Sequence, residues 1–225
     1  MRLSPESPVG RPSLDLGEDE IATAIDIVCR GAAEVRASVT AGMLEVPITI
    51  LVKKAMRRAK QRLGLTNIEI GGEFEVLDVD DPAAATKGRI DITAKFRQHF
   101  GDEDAYLGVE CKRVAPGDAT LNRAYVADGV DRFATGQYGL GHPLGMMLGY
   151  VLKLPHGTLP VDIDVRIRKS YGELAKLADM ECHTDALSMH EGDVPQGIDG
   201  HLIRLIHIFV DMSPAGAAPA LNLAA

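Results

Sequence analysis

Two short stretches of alternating sequence carry the residue types needed for metal-assisted chemistry at phosphorus. In GRIDITAKF, Arg89, Asp91, Thr93 and Lys95 alternate with Ile90, Ile92, Ala94 and Phe96; in YLGVECKRV, Glu110 and Lys112 alternate with Leu107, Val109 and Cys111. A period of two is that of a β-strand, whose successive side chains point to opposite faces. Paired as a hairpin, the strands would bring Asp91, Glu110 and Lys112 to one polar rim, with their apolar neighbours anchored in the core. Two carboxylates offer hard oxygen ligands to Mg2+, which keeps several waters and needs few protein groups; Mn2+ is expected to substitute. Such an ion polarises a phosphoryl oxygen and lowers the pKa of a bound water. An ammonium two residues from a carboxylate can orient the attacking water or stabilise transition-state charge. Cys111, between the two, is expected to lend the metal its backbone carbonyl while its thiol packs inward. Taken alone, Glu-x-Lys on a strand is usually a solvated charge pair. The preceding strand with its single Asp makes the pattern more specific.

The elements that must position these residues are legible around them. Glu18 to Ala37 predicts a helix, with Ile21, Ala24, Ile25, Val28, Ala32 and Val35 at helical spacing and an acidic first turn. A second helix, Glu45 to Leu63, buries Ile48, Leu51, Val52, Ala55, Met56 and Ala59, with Pro47 in its first turn. The period then changes to two, giving strands at Ile68–Val79, Gly88–Phe96 and Tyr106–Val114. Helix returns over Ala119–Gly136. Leu144–Leu152, almost wholly apolar, reads as a strand buried on both faces. Beyond it come a helix over Val161–Ala178, an irregular stretch and a last strand over His201–Met212. The order implies an α/β fold: an antiparallel meander joined by a helical crossover to a further strand, making a mixed sheet flanked by helices. Residues 1–17 read as a loose arm, 18–212 as a single domain, and 213–225 as a frayed tail.

Arg89-Ile-Asp91…Glu110-Cys-Lys112 resembles the bipartite motif of the PD-(D/E)-x-K nuclease superfamily, the restriction-endonuclease-like fold. The similarity extends to element order over about residues 45–152: helix, three-strand meander carrying the motif, helix, strand. Ile90 stands where the name-giving proline would be. The resemblance implies Asp91 and Glu110 as metal ligands and Lys112 as the catalytic lysine. It also implies an auxiliary acid from the helix before the meander, which Glu45 matches; Glu34 and Glu73 remain alternatives. The helix after the motif would border the site, so that Arg132 holds a phosphate and Gln137 a water. The implied activity is Mg2+-dependent hydrolysis of nucleic acid, DNA ahead of RNA, in a setting such as restriction or phage defence.

Charge bears on the partner. The chain has 24 Lys and Arg against 32 Asp and Glu, a net −8, which excludes a uniformly basic nucleic-acid coat but not a local one. The second helix concentrates Lys53, Lys54, Arg57, Arg58, Lys60 and Arg62. Lys53/Lys54 and Arg57/Arg58 are spaced i, i+4, a stripe suited to tracking phosphates of double-stranded DNA, or equally a solvated outer face. Tyr125, Asp128 and Arg132, at i, i+3 and i+7, are expected on one helical face, with an Asp128–Arg132 ion pair as the structural alternative. Aromatic residues make up 4% of the chain, too few for a single-strand stacking platform. The competing reading is a non-catalytic nucleic-acid-binding or assembly subunit that keeps the fold; a homodimer or a place in a larger complex is compatible with either.

Three cysteines without a CxxC pair argue against a disulfide scaffold or a four-ligand zinc site. No apolar run reaches the ~20 residues of a membrane helix and the first residues lack a signal-peptide core, so a cytoplasmic protein without a membrane partner is expected. Other signals carry less. Gly139–Gly145 is expected to be a turn rather than a phosphate loop. Cys182, His183 and His190 lack a second clustered pair for zinc, and His201 and His207 are expected to hydrogen-bond at an edge. Asp78, Asp80 and Asp81 read as a solvated turn, while Glu73 and Glu75 are reserve metal ligands.

Overall fold

Alternation along the strands decides the architecture, because it gives the sheet two apolar faces that must both be covered. A computed structural model describes residues 14–214 apart from Ala41, 78–85, Glu103, Thr184 and 198–199, without side-chain detail at 73–77 and 86–88. Seven strands form one mixed sheet in the order β1-β2-β3-β4-β7-β6-β5. They are β1 (Ile68–Leu77), β2 (Thr86–Phe96), β3 (Leu107–Val114), β4 (Leu144–Val151), β5 (Ala178–Asp179), β6 (Ser188–Pro195) and β7 (Leu202–Asp211). β1, β2 and β3 are an antiparallel meander; β4 runs parallel to β3 and to β7, and the far edge is antiparallel again.

Helices α1 (Glu18–Val35) and α2 (Glu45–Arg62) cover one face. Their apolar stripes, including Ile27, Val28, Ile48, Val52 and Met56, pack on Ile70, Ile92, Ala94, Val109, Cys111, Met146, Leu148 and Ile208. The other face is covered by α3 (Ala119–Tyr125), α4 (Asp131–Ala134) and α5 (Leu159–Tyr171), with Tyr125, Val130, Phe133 and Ile163 against Val114, Met147, Leu205 and Phe209. β4 is buried along its whole length, as expected of a parallel strand between two helical layers.

Several expectations are corrected. The expected helix over Ala119–Gly136 is interrupted by a π turn, Val126–Val130. The wider turn rotates α4 relative to α3, so Tyr125, Asp128 and Arg132 do not share a face. Tyr125 is buried with its hydroxyl on His207 Nδ1 at 2.9 Å, Asp128 is exposed, and Arg132 turns to Glu110 instead of pairing with Asp128. Ile90 leaves the core of its strand neighbours and is buried with Val130 and Phe133 on the other side. The fifth helix ends at Tyr171, where Gly172 takes φ 89°, and the stretch expected to be irregular contains β5 and β6. Gly192, Asp193 and Pro195 depress the β-propensity of β6, which is held by its full register with β7. His207 lies inside the sheet, not at an edge. The arm is not loose to its end: Leu14 is buried, and the Asp15 carbonyl accepts from Gln98. Asp78, Asp80 and Asp81 lie outside the described residues, as do the side chains of Glu73 and Glu75.

Candidate active site

The ladder between β2 and β3 is short. It joins Ala94 to Leu107, Thr93 to Gly108 and Ile92 to Val109. At the next position Asp91 Oδ2 accepts the Cys111 N–H at 2.9 Å. A side-chain oxygen thus satisfies a donor that a continued ladder would have given to a backbone carbonyl, and the carboxylate sits where the strands cease to pair.

Glu110 and Lys112 lie on the β3 face that carries Val114, while Cys111 points into the opposite core. Lys112 Nζ donates to Glu110 Oε1 at 2.6 Å, to Glu45 Oε1 at 3.2 Å and to the Cys111 carbonyl at 3.1 Å. An ammonium has three protons, and all three are directed. Glu45 Oε2 in turn accepts the Arg113 N–H at 3.1 Å. Glu45 is in the first turn of α2, where the helix dipole favours a carboxylate.

Arg132 arrives from the opposite side. Its Nε is 3.7 Å from Glu110 Oε1, its guanidinium lies 5.3 Å from the centroid of the Tyr138 ring, and it donates to the Tyr138 hydroxyl. That hydroxyl donates to the Arg89 carbonyl at 2.7 Å, which ties α4 to β2. Gly129, in the π turn, lets this layer approach: a Cβ there would stand 2.6 Å from Met147 Cε and 3.3 Å from Lys112 Cγ.

Burial, and after it the charge of Asp91, pushes the Glu110 carboxyl up to about 7 against the pull of Lys112 and Arg132. Burial raises Asp91 as well. For Lys112, burial works against the charge, but the carboxylates, Glu110 foremost, outweigh it and raise its pKa. Lys112 is therefore a fixed ammonium. Glu110 is 1% exposed, and its Oε2 has no hydrogen-bond partner among the described residues. Such an oxygen is costly to leave unsatisfied.

No group of three or more His, Cys, Asp or Glu is arranged to hold a metal among the described residues. Asp91, Glu110 and the Cys111 carbonyl are oxygen donors of the hard kind that Mg2+ takes while retaining waters, and Glu110 Oε2 has no hydrogen-bond partner among the described residues. The Cys111 thiol is wholly buried, with its pKa raised by burial.

The other expected site residues are dispersed. Arg58 and Arg62 of the basic stripe are held by Glu34 of α1, both at 2.6 Å, which places Glu34 in the α1–α2 contact. Lys54 is exposed. Lys53 folds across Gly72, and Arg57 Nε donates to the Ile70 carbonyl at 2.9 Å. His183 pairs with Asp26 at 2.7 Å and His190 with Asp179 at 3.0 Å, while the Cys182 thiol bonds the carbonyls of His183 and Ala186. Two residues of the site were missed from sequence. Tyr138 sits in a glycine-rich turn, and Gly129 in an ordinary helical register; nothing in their spacing signals a role.

No family model matches the chain, and no curated protein and no solved structure matches it either.

Proposed function

We propose that the chain is a Mg2+-dependent nuclease of the PD-(D/E)-x-K type that hydrolyses phosphodiester bonds, with double-stranded DNA as its first substrate. One observation carries the reading. Asp91 stands at the end of the β2–β3 ladder beside Glu110, whose second oxygen is buried without a hydrogen-bond partner among the described residues, and Lys112 is held by hydrogen bonds to Glu110 and Glu45. The element order supports it: α2, the β1–β3 meander, a crossover helix and a parallel β4 are what the resemblance implies.

The charge balance supports it too. Asp91, Glu110 and Glu45 are three carboxylates against two cations, Lys112 and Arg132. One divalent ion and one phosphodiester would together bring the set to neutrality. Asp91, Glu110 and the Cys111 carbonyl would hold the ion, which would polarise the phosphoryl oxygen and lower the pKa of a bound water. Lys112, fixed as an ammonium, does not act as the general base; it offsets charge building on the phosphoryl oxygens, and it would orient the attacking water by giving up its bond to the Cys111 carbonyl once that oxygen holds the ion. Glu45 is a positioning residue, aiming Lys112 and tying it to the backbone at Arg113. Arg132, held by Tyr138, faces the same charge from the far side.

The test is incubation of purified protein with linear, circular and single-stranded DNA and with RNA, each with Mg2+ or with chelator. The reading expects cleavage that needs Mg2+ and is fastest on duplex DNA. Equal turnover in chelator, or none on any substrate, rejects it in favour of a non-catalytic nucleic-acid-binding or assembly subunit.

A further inference from the structure

Cys111 is tied to its surroundings at three points, and one of them leads away from the carboxylates. Its N–H donates to Asp91 Oδ2 at 2.9 Å, and its carbonyl accepts from Lys112 Nζ at 3.1 Å. The side chain points the other way, into the core beneath α1 and α2, where it is wholly buried. There the thiol is hydrogen-bonded with the Tyr150 hydroxyl of β4, and that hydroxyl stands 3.1 Å from Thr49 Oγ1 of α2.

Thr49 is the one polar residue in the buried stripe of α2, and it lies one turn beyond Glu45. The helix therefore reaches β3 twice. Glu45 meets Lys112 and the Arg113 N–H directly, and Thr49 meets Cys111 by way of Tyr150, whose strand pairs in parallel with β3. Burying a threonine hydroxyl, a phenol and a thiol in one apolar layer is costly unless each finds a partner. Once satisfied, such a chain holds its members in a single arrangement.

We propose that Tyr150, held by Thr49, is a positioning residue of the candidate active site: it anchors the Cys111 side chain and so fixes the Cys111 carbonyl beside Asp91 for a divalent ion. In the nuclease reading that carbonyl passes from Lys112 to the ion, so the ammonium no longer aims it. What then holds Cys111 is the Asp91 carboxylate on its N–H and the Thr49–Tyr150 pair on its thiol. The inference takes its ion from that reading. It goes further in giving a role to two buried hydroxyls on the opposite face of the sheet, which touch neither ion nor substrate.

Mn2+ affinity, measured by calorimetry without substrate at one pH, tests the proposal, with an unfolding midpoint for every variant. Tyr150→Phe and Thr49→Val each remove a hydroxyl and keep the shape of the side chain. Each should weaken Mn2+ binding about tenfold, the lower end of what losing an outer partner costs a metal site. Their double variant should bind as Tyr150→Phe does, because both break one chain. Thr49→Ser keeps the hydroxyl and should keep the wild-type affinity. Tyr125→Phe removes a buried hydroxyl of the same kind, bonded to His207 instead, and should lower the midpoint without changing Mn2+ affinity. Should Tyr150→Phe fail to fold, Thr49→Val decides by the same criteria. Wild-type affinity in Tyr150→Phe and Thr49→Val, an equal loss in Tyr125→Phe, or no Mn2+ binding by the wild-type chain overturns the positioning role. Cleavage assays on the same proteins separate this from the nuclease reading. Mn2+ binding that falls as expected, with no cleavage of any substrate, keeps the positioning role and rejects the nuclease. Mg2+-dependent cleavage with affinity and rate unchanged in Tyr150→Phe keeps the nuclease and rejects the positioning role.

Discussion

In the proposed nuclease, Asp91, Glu110 and Lys112 do different work although they share one charge cluster, and conservative substitutions separate them. Asp91→Asn keeps an oxygen to accept the Cys111 N–H but removes a charge. It should fold with a near-wild-type unfolding midpoint and lose activity on the order of 10²–10³-fold, comparable to deleting one preorganised electrostatic contact. A rate within tenfold of wild type would remove Asp91 from the ligand set. Glu110, raised to about 7 by burial and by Asp91, would have to shed a proton before binding the proposed cation. Mn2+ affinity should therefore fall as pH drops below about 7, by up to tenfold per pH unit, with protons released on binding. Calorimetric titrations at about pH 6 and about pH 8 in buffers of different ionisation heat will show it; an affinity flat across that range contradicts the role given to Glu110.

The π turn between α3 and α4 is the element whose shape matters most to the site. Such turns often mark functional positions, and here one brings Arg132 and Gly129 onto β3. Gly129→Ala would place a methyl against Met147 and Lys112 and should cost about 1–3 kcal/mol of stability, the usual range for overpacking, measurable by denaturant unfolding. Tyr138→Phe tests the brace more gently. It removes the hydroxyl that accepts from Arg132 and donates to the Arg89 carbonyl, and should cost about 1 kcal/mol while lowering the cleavage rate. The alternation of β2 and β3 and the apolar stripes of α1 and α2 were legible because each repeats its period over many residues. The π turn was not: Ala119–Gly136 has helical periodicity throughout, and one turn of different width leaves no compositional trace. β6 was hidden for the opposite reason, since His190, Gly192 and Asp193 obscure an alternation that only its pairing with β7 reveals.

At the scale of the molecule, the two apolar faces of the sheet are closed by helices, and buried histidines are held neutral, His207 on β7 and His142 in the turn before β4 among them. His207 is buried with its pKa lowered to about 3, and His142 to about 4, both by burial. Each is protonated in the unfolded chain below its ordinary 6.5 but not in the folded one. Stability is therefore fully present above about pH 6.5 and declines as pH falls, by up to about 1.4 kcal/mol per unit for each group. Glu110 acts in the opposite sense between its ordinary 4.5 and about 7, where the metal-free fold holds a proton that the unfolded chain has lost. His190, lowered by burial, adds to the loss and Asp91, raised by burial, opposes it; His207→Asn should make the decline between about pH 6 and 4.5 shallower by up to about 1.4 kcal/mol per unit. Unfolding free energies across that range check it, and an equally steep decline in the variant would exclude His207 as a cause. That Glu110 and Lys112 share one face of β3, and that Asp91 nears them once β2 and β3 pair, was readable from strand period together with an assumed hairpin. Which acid joins them was not, because Glu45, Glu34 and Glu73 are separated only by tertiary placement: Glu45 reaches Lys112, while Glu34 is taken up by Arg58 and Arg62.

The central question is whether a fixed ammonium and two carboxylates make a phosphodiesterase. The rate at which covalently closed duplex DNA is nicked at saturating Mg2+ by wild-type protein and by Lys112→Gln decides it. Nicking by the wild-type chain and a loss of at least a hundredfold in the variant, with binding of the duplex retained, is the predicted result; nicking by Lys112→Gln at the wild-type rate would contradict it.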